Sequence, residues 1–154
     1  MSCAVWAQDT RLTVVELNVE NLFDTRHDSL KRDDDFLPDG LYHWTRSRYW
    51  QKLNRLGQTL IACGTDSAHW ELPDLIGLCE VENDTVLHDF TRRSLLRKAG
   101  YEYVITNSPD ERGIDVALLY SPFSFRLIYS DTLRIMPPHK SYRPTRDVLH
   151  ACGE

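Results

Sequence analysis

The chain has 154 residues and an ordinary composition, with 42% hydrophobic, 27% charged and 10% aromatic residues. This length suffices for one domain with a hydrophobic core, and the composition excludes a disordered chain, a collagen-like chain and a transmembrane span. The net charge of −5 argues against a protein held on nucleic acid by a generally basic surface, although it leaves room for a local basic groove.

The first eight residues (1–8) are mostly small and apolar, and the chain turns polar at Asp9. They resemble the end of a secretory signal, with Ala7 before a cleavage point, but a basic start is missing. We therefore expect residues 1–8 to be a residual signal-like tail of an exported protein, either periplasmic or extracellular. An untidy terminal tail on a cytoplasmic protein is the alternative.

The cysteines are scattered and lack the close-paired spacing of zinc sites. Cys63 and Cys79 lie in apolar segments, so we expect both to be small core residues. No disulfide framework follows from this pattern.

The first predicted strand, 12–18, is rich in apolar and β-branched residues. Densely polar residues, 18–24, follow it, and a long polar loop then extends to His43. This loop contains an acidic triplet, 33–35. A solvated turn explains the triplet better than a cation site, because consecutive carboxylates do not follow the spacing of a calcium loop.

Two helices are predicted between the first strands. Thr45 is expected to cap a helix that runs to about Cys63 and ends at Gly64. One side of this helix is apolar and would face the core, and the other side is basic and expected to be solvated: Arg46, Arg48, Lys52 and Arg55. The second helix is predicted to begin at a cap on Asp84 and to run to Ala99.

A nearly continuous apolar run at 75–79 predicts a strand that is buried on both faces, and Glu80 follows it directly. A carboxylate in that position is costly unless a metal ion or an arginine pairs with it. The simpler alternative is that Glu80 turns to solvent. Further strands are predicted at 101–106 and 115–120, then a hairpin over 125–129 and 133–136, and a last strand that begins near Arg146.

Polar side chains occur at three places where predicted strands meet loops: Asn18 with Asn21, Glu80, and the segment 112–115. Amide and carboxylate oxygens without Cys or His suit a hard cation. Mg²⁺ takes only one or two protein carboxylates, keeps waters and binds substrate phosphate. A nearby arginine, Arg112, would bind a phosphate oxygen in a bidentate way. These residue types favour a metal-assisted phosphoester site.

The same residues resemble motifs of the endonuclease/exonuclease/phosphatase superfamily, the fold of pancreatic deoxyribonuclease and of apurinic endonucleases. The motifs are an Asn-Val pair that closes the first strand (18–24), a glutamate after an apolar run (78–83) and an Arg-Gly-Ile-Asp strand (112–120). Together with Phe-Leu-Pro-Asp-Gly (36–40) and Arg-Pro-Thr-Arg (143–146), they are similar to a bacterial exported branch. The resemblance covers residues 11–154. It implies an α/β (α+β) fold, the N-terminal half of a two-sheet α/β sandwich with mixed sheets and outer helices.

The resemblance also implies a divalent-metal-dependent phosphoester hydrolase, either a nuclease or a phosphatase. Asn18 and Glu80 would hold the metal, Mg²⁺ or alternatively Mn²⁺, with Glu80 as the catalytic residue. Arg112, Asp115 and Asn21 would lie on the substrate side, where Arg112 contacts phosphate and Asp115 orients neighbouring groups. The substrate would be nucleic acid or a small phosphorylated molecule, and no membrane span is expected.

The later motifs that the resemblance leads us to expect cannot be placed in this sequence: a histidine on a mid-chain strand, an Asp-x-Asn pair and a terminal Asp-His pair. We therefore expect a domain truncated at its C-terminus, inactive alone, whose partner is the missing C-terminal half. One alternative is a non-catalytic binding domain that keeps the fold. Another is a structural half-domain that exposes an apolar sheet face and self-associates.

Overall fold

The computed structural model describes residues 11–65, 70–136 and 143–154, so the signal-like tail at 1–8 lies outside the described residues. The elements are β1 (Val14–Leu22), α1 (Arg46–Cys63), β2 (Leu75–Val81), α2 (Asp84–His88), β3 (Glu102–Ile105), β4 (Asp115–Tyr120), β5 (Leu127–Leu133) and β6 (Val148–Gly153). Short helical turns occupy 34–36, 89–93 and 95–98. None of the described helices is both long and apolar enough to cross a membrane.

Four strands form a mixed sheet in the order β1-β2-β4-β3. β1 and β2 are parallel, as expected for neighbouring strands joined through a helix, and the other pairs are antiparallel. β5 and β6 form a separate antiparallel pair. The strand β2 is central and contributes Ile76, Leu78 and Val81 to the core, each at 0% exposure. This mixed architecture confirms the predicted α+β fold class.

Helix α1 begins and ends where the sequence predicts. The Thr45 side chain accepts a hydrogen bond from the Arg48 backbone N–H, and Gly64 follows the last helical residue. Its buried residues pack into the core: Tyr49, Leu53, Gly57 and Leu60. Lys52 is partly buried and contacts the end of β1, so the expectation of a solvated basic side is wrong for this residue.

The predicted second helix is divided into shorter segments. Asn83, rather than Asp84, is its cap, because the Asn83 side chain accepts from the Val86 N–H at 3.0 Å. Ser94 has an extended backbone, and its hydroxyl bonds the carbonyl of Phe90 and the N–H of Leu96. Hydrogen bonds between a serine hydroxyl and nearby backbone groups compete with the backbone hydrogen bonds of a continuous helix. The continuous helix over 84–99 is therefore wrong.

One further expectation near the C-terminus is corrected by strand pairing. The predicted hairpin is wrong, because β5 runs through residues 130–132 and pairs with β6. This pairing also means that the last strand lies outside the four-stranded sheet. A second correction concerns Cys63, which is exposed at the end of α1, whereas Cys79 is partly buried.

A buried polar network joins β4 to the segment that precedes β6. Asp115 Oδ1 accepts from the Thr106 hydroxyl and from the Ser108 N–H, both at 2.7 Å. The Ser108 hydroxyl in turn accepts from the Asp147 N–H at 3.0 Å, and Arg134 pairs with the Asp147 carboxylate at 3.1 Å. The network fixes the loop 106–113 beside residues 143–147.

We expect Asp115→Ala to lower the free energy of unfolding by about 2 kcal/mol, because it leaves the buried Ser108 N–H without its acceptor and removes the shortest hydrogen bond of the Thr106 hydroxyl. Asp131→Ala on exposed β5 is the matched control and should stay within about 0.5 kcal/mol of the wild type. Urea unfolding followed by circular dichroism measures both. Equal effects of the two substitutions would contradict the structural role of Asp115.

Candidate active site

Glu80 lies at a bulge in the central strand. Cys79 and Val81 are paired with both neighbouring strands, whereas Glu80 is left out of both ladders. Its φ of 69° is in the left-handed region that non-glycine residues rarely adopt. The side chain is 15% exposed. The carboxylate that follows the apolar run is therefore held in a distorted, partly buried position.

The facing part of β1 is distorted at the same level. Glu20 and Asn21 have φ values of 52° and 60°, and the register of β1 on β2 shifts between Asn18 and Leu22. Asn18 Oδ1 accepts from the Glu20 N–H at 2.8 Å, and the Asn21 N–H donates to Glu80 Oε2 at 3.1 Å. The two distortions are thus joined by a hydrogen bond. β1 continues to Leu22 instead of closing at Asn18.

Lys52 of α1 holds the distorted end of β1 from the helix. Its Nζ donates to the carbonyl oxygens of Glu20 and Asn21 at 2.6 and 3.3 Å. Burial lowers the pKa of Lys52, while the charges of Glu20 and Glu80 act in the opposite direction. The ammonium provides donors for these two backbone acceptors where the strand pairing is irregular. The sequence pattern around Lys52 does not mark it as a site residue.

Two arginines approach Glu80. Arg146 Nη1 lies 3.4 Å from Glu80 Oε1. Arg112 forms a bidentate pair with Asp110, at 3.1 Å from Nε to Oδ1 and 2.7 Å from Nη2 to Oδ2. The hydrogen bond with Asp110 raises the pKa of Arg112, and the charge of Glu80 adds to that rise. Arg146 was not predicted as a site residue, although its segment carries part of the family resemblance.

The remaining predicted residues, Asn21 and Asp115, contact groups that position Glu80 and the loop of Arg112. Asn21 holds the Glu80 carboxylate with its N–H. Asp115 is 6% exposed and binds Thr106 and Ser108, so it orients the loop that carries Arg112. Because the side chain is buried, the predicted orienting role of Asp115 would be exerted through this loop.

Glu82 is a buried carboxylate that the sequence pattern also does not mark as a site residue. Its Oε2 accepts from the Asp24 N–H at 2.6 Å. Burial raises the pKa of Glu82 to about 8, and the charge of Asp24 adds to this rise. Glu82 therefore fixes the chain just after β1, close to the distorted segment.

A second group of side chains that could coordinate a metal ion lies in the loop after β1. His27 Nδ1 is 2.6 Å from Asp33 Oδ1 and 4.0 Å from Asp34 Oδ1. The three ligand atoms lie within 4.8 Å of one another. Asp33 is 1% exposed and also accepts from the Asp28 N–H, so the solvated-turn interpretation is wrong for this residue. Both oxygens of Asp33 have partners within the loop, so the group serves to fasten the loop.

Residues 13–154 match the sequence profile of the endonuclease/exonuclease/phosphatase family. The chain belongs to this family. The match covers nearly the whole chain and confirms the resemblance given by the motifs at Asn18, Glu80 and Arg112. The family acts on phosphoesters and typically uses divalent metals. The comparisons with curated proteins and with solved structures gave no significant match.

The pairing of His27 with Asp33 leads to a prediction about pH dependence. The hydrogen bond to Asp33 raises the pKa of His27 above its usual 6.5. We expect Asp33→Asn to lower this pKa and Asp34→Asn to lower it less, because Asp34 is farther from the ring. The charged pair stabilises the fold below the unfolded pKa of about 6.5, and that contribution is lost as the pH rises through the higher folded pKa.

NMR titration of the His27 ring protons measures these values. Equal pKa values in the wild type and the Asp33→Asn variant would contradict the pairing.

A second prediction concerns the strained backbone of β1. At position 20, glycine should be more stable than alanine by about 1 kcal/mol, because it adopts the left-handed conformation without a steric penalty. Glu16 is exposed in the regular part of the same strand. There we expect the reverse order, with glycine about 0.5–1 kcal/mol less stable than alanine. Urea unfolding of the four variants tests this, and the same order at both positions would refute the strain.

Proposed function

We propose that the bulge of β2 forms part of a divalent-metal-dependent phosphoester hydrolase site. The observation that supports this most is the joined distortion of β1 and β2 around Glu80. A residue held in such a conformation costs about 1–3 kcal/mol, and such residues cluster at active sites. Family membership supports phosphoester hydrolysis as the class of reaction.

The side chains at the bulge fit Mg²⁺, with Mn²⁺ as the alternative. Asn18 and Glu80 offer oxygen donors only, where the parallel pairing of β1 with β2 becomes irregular. Mg²⁺ is commonly bound through one or two carboxylates and completes its shell with water and substrate phosphate. We therefore propose Asn18 and Glu80 as its protein ligands. When bound, the ion would polarise a phosphoryl oxygen.

The other side chains bind and position the substrate. Arg112 is fixed by Asp110 through two of its five N–H donors, which leaves three for a phosphate oxygen. Arg146 adds a second guanidinium close to Glu80. Asp115 orients the loop that carries Arg112, and Asn21 holds the Glu80 carboxylate. The substrate is a nucleic acid or a small phosphorylated molecule.

We also propose that the 154 residues alone hydrolyse substrate slowly or not at all. The histidine, the Asp-x-Asn pair and the terminal Asp-His pair expected from the resemblance have no counterpart in this sequence. Catalysis by positioning needs the whole set of groups. On sequence grounds alone, residues 1–8 support the further proposal of an exported protein.

Metal binding is tested on the 154-residue chain by thermal unfolding with and without MgCl₂ or MnCl₂, in the presence of inorganic phosphate. At an ion concentration of about 100 times the Kd, the wild type should gain about 2.7 kcal/mol of stability. Glu80→Gln should abolish the gain. Asp34→Asn is the matched control and should retain it. If Asp34→Asn abolishes the gain and Glu80→Gln retains it, the ion binds at His27, Asp33 and Asp34, and the site at Glu80 is refuted.

Hydrolysis is tested with a phosphodiester dye on the 154-residue chain and on the proposed longer protein of which it would be the N-terminal part. In that longer protein, Glu80→Gln should reduce turnover by about 100-fold or more, and Asp131→Asn should not change it. The 154-residue chain should hydrolyse no faster than the Glu80→Gln variant. Unchanged turnover in the Glu80→Gln variant of the longer protein would favour a non-catalytic binding domain.

A further inference from the structure

A cleft of about 380 Å³ lies beside the candidate active site and is rich in arginine. It is lined by Arg32, Asp110, Glu111, Arg112, Arg143 and Thr145, together with Pro144. The net charge of the chain is −5, so this is a local concentration of cations on an acidic protein. The predicted site residues include only Arg112 from this cleft.

The charges of the cleft do not cancel. Arg112 is paired with Asp110 at 2.7 Å, and Arg32 is paired with Glu111 at 3.4 Å. Arg143 is exposed and has no hydrogen bond or ion pair with any residue in the described ranges. The cleft therefore has one guanidinium more than it has carboxylates. An arginine in this position is available to bind an anion, and its planar fork suits a phosphate group.

Backbone contacts between distant segments build the cleft. The Arg32 N–H donates to the Glu111 carbonyl at 2.9 Å, which joins the loop after β1 to the loop 106–113. The Asp147 N–H donates to the Ser108 hydroxyl at 3.0 Å, which joins that loop to the segment 143–147. Because all three segments are fastened, the backbone positions of the three arginines are held close together by the fold.

The cleft continues into the candidate active site through two side chains. Arg112 lines the cleft, and its pKa responds to the charge of Glu80. Arg146 follows Arg143 in the same short segment and lies 3.4 Å from the Glu80 carboxylate. A substrate with one phosphate at Glu80 would place a neighbouring group toward the cleft.

We propose that this cleft binds a second phosphate group of the substrate, beside the phosphate that reacts at Glu80, with Arg143 as its main contact. This inference rests on the proposed function, because it describes a subsite of the same substrate. The ligand class is a phosphoester that carries a second phosphate at a neighbouring position. The second group comes from the next phosphate of a nucleic acid strand or from a small bisphosphorylated molecule. A monophosphate leaves Arg143 without an anion.

The test is an NMR titration of the 154-residue chain with two pairs of ligands. One pair is thymidine 5′-monophosphate and a thymidine dinucleotide with a 5′-phosphate, and the other is inositol monophosphate and inositol bisphosphate. In at least one pair, the wild type should bind the two-phosphate ligand more tightly. Arg143→Gln should weaken that binding about fivefold, as expected for loss of an exposed ion pair, and leave the monophosphate unchanged. Arg97→Gln, an exposed arginine that does not line the cleft, is the matched control and should change neither.

The two pairs distinguish the sources of the second phosphate. An effect confined to the dinucleotide identifies a nucleic acid strand. In that case Arg143→Gln should also reduce the slope of log K against the logarithm of the salt concentration by about 0.7. An effect confined to inositol bisphosphate identifies a small molecule. If Arg143→Gln weakens the one-phosphate and two-phosphate ligands equally, or weakens neither, the second-phosphate site is refuted.

The metal titration of the Glu80→Gln variant reports on the proposed function separately. In that variant we expect the metal ion to give no stabilisation, while Arg143→Gln still weakens the binding of two-phosphate ligands. If the wild type shows no metal response but Arg143→Gln still weakens two-phosphate ligands, the hydrolase proposal fails and the phosphate cleft stands. If the metal ion stabilises the wild type but Arg143→Gln changes no ligand binding, only the proposed second-phosphate site in the cleft is refuted.

Discussion

The hydrogen bond from the Asn21 N–H to the Glu80 carboxylate joins two strand distortions that are each unfavourable. A left-handed conformation costs a residue such as Glu80 about 1–2 kcal/mol. Relaxation to a regular strand would change the pairing of β2 with both neighbours, and Leu78 and Val81 on either side are fully buried. A one-residue change of register in a strand moves side chains to the opposite face. The packed core therefore maintains the bulge, and the bulge sets the direction of the carboxylate.

The charges around this carboxylate bear on the proposed joint binding of a metal ion and a phosphate. Three cations interact with Glu80, namely Lys52, Arg112 and Arg146, while Asp110 pairs with Arg112 and Glu20 lies close to Lys52. A divalent cation alone would be repelled by these three cations. A phosphate brings negative charge that offsets both the ion and the arginines. This balance agrees with the preference of Mg²⁺ for sites completed by substrate phosphate.

Local signals in the sequence predicted the elements that depend on local physics. Thr45 and Gly64 set the ends of α1 through capping, and the apolar run at 115–120 set β4. Long-range contacts decided what the sequence could not predict. Lys52 has the same local pattern as its exposed neighbours on α1, and only the fold brings it onto the carbonyls of β1. Asp33 is likewise buried by contacts that no run of acidic residues indicates.

The candidate site depends on the docking of the second sheet as well as on the bulge. Arg146 directly precedes Asp147, whose N–H is held by Ser108 and whose carboxylate is fully buried against Arg134. Ser108 is also held by Asp115, and the same loop carries Arg112. The two arginines nearest Glu80 are therefore positioned by one polar network. Because a buried network of this kind is costly when only partly satisfied, loss of one member would release both guanidinium groups together. The side of the site that carries the arginines is thus coupled to the junction between the two sheets, while the carboxylate side is fixed by the core of the larger sheet.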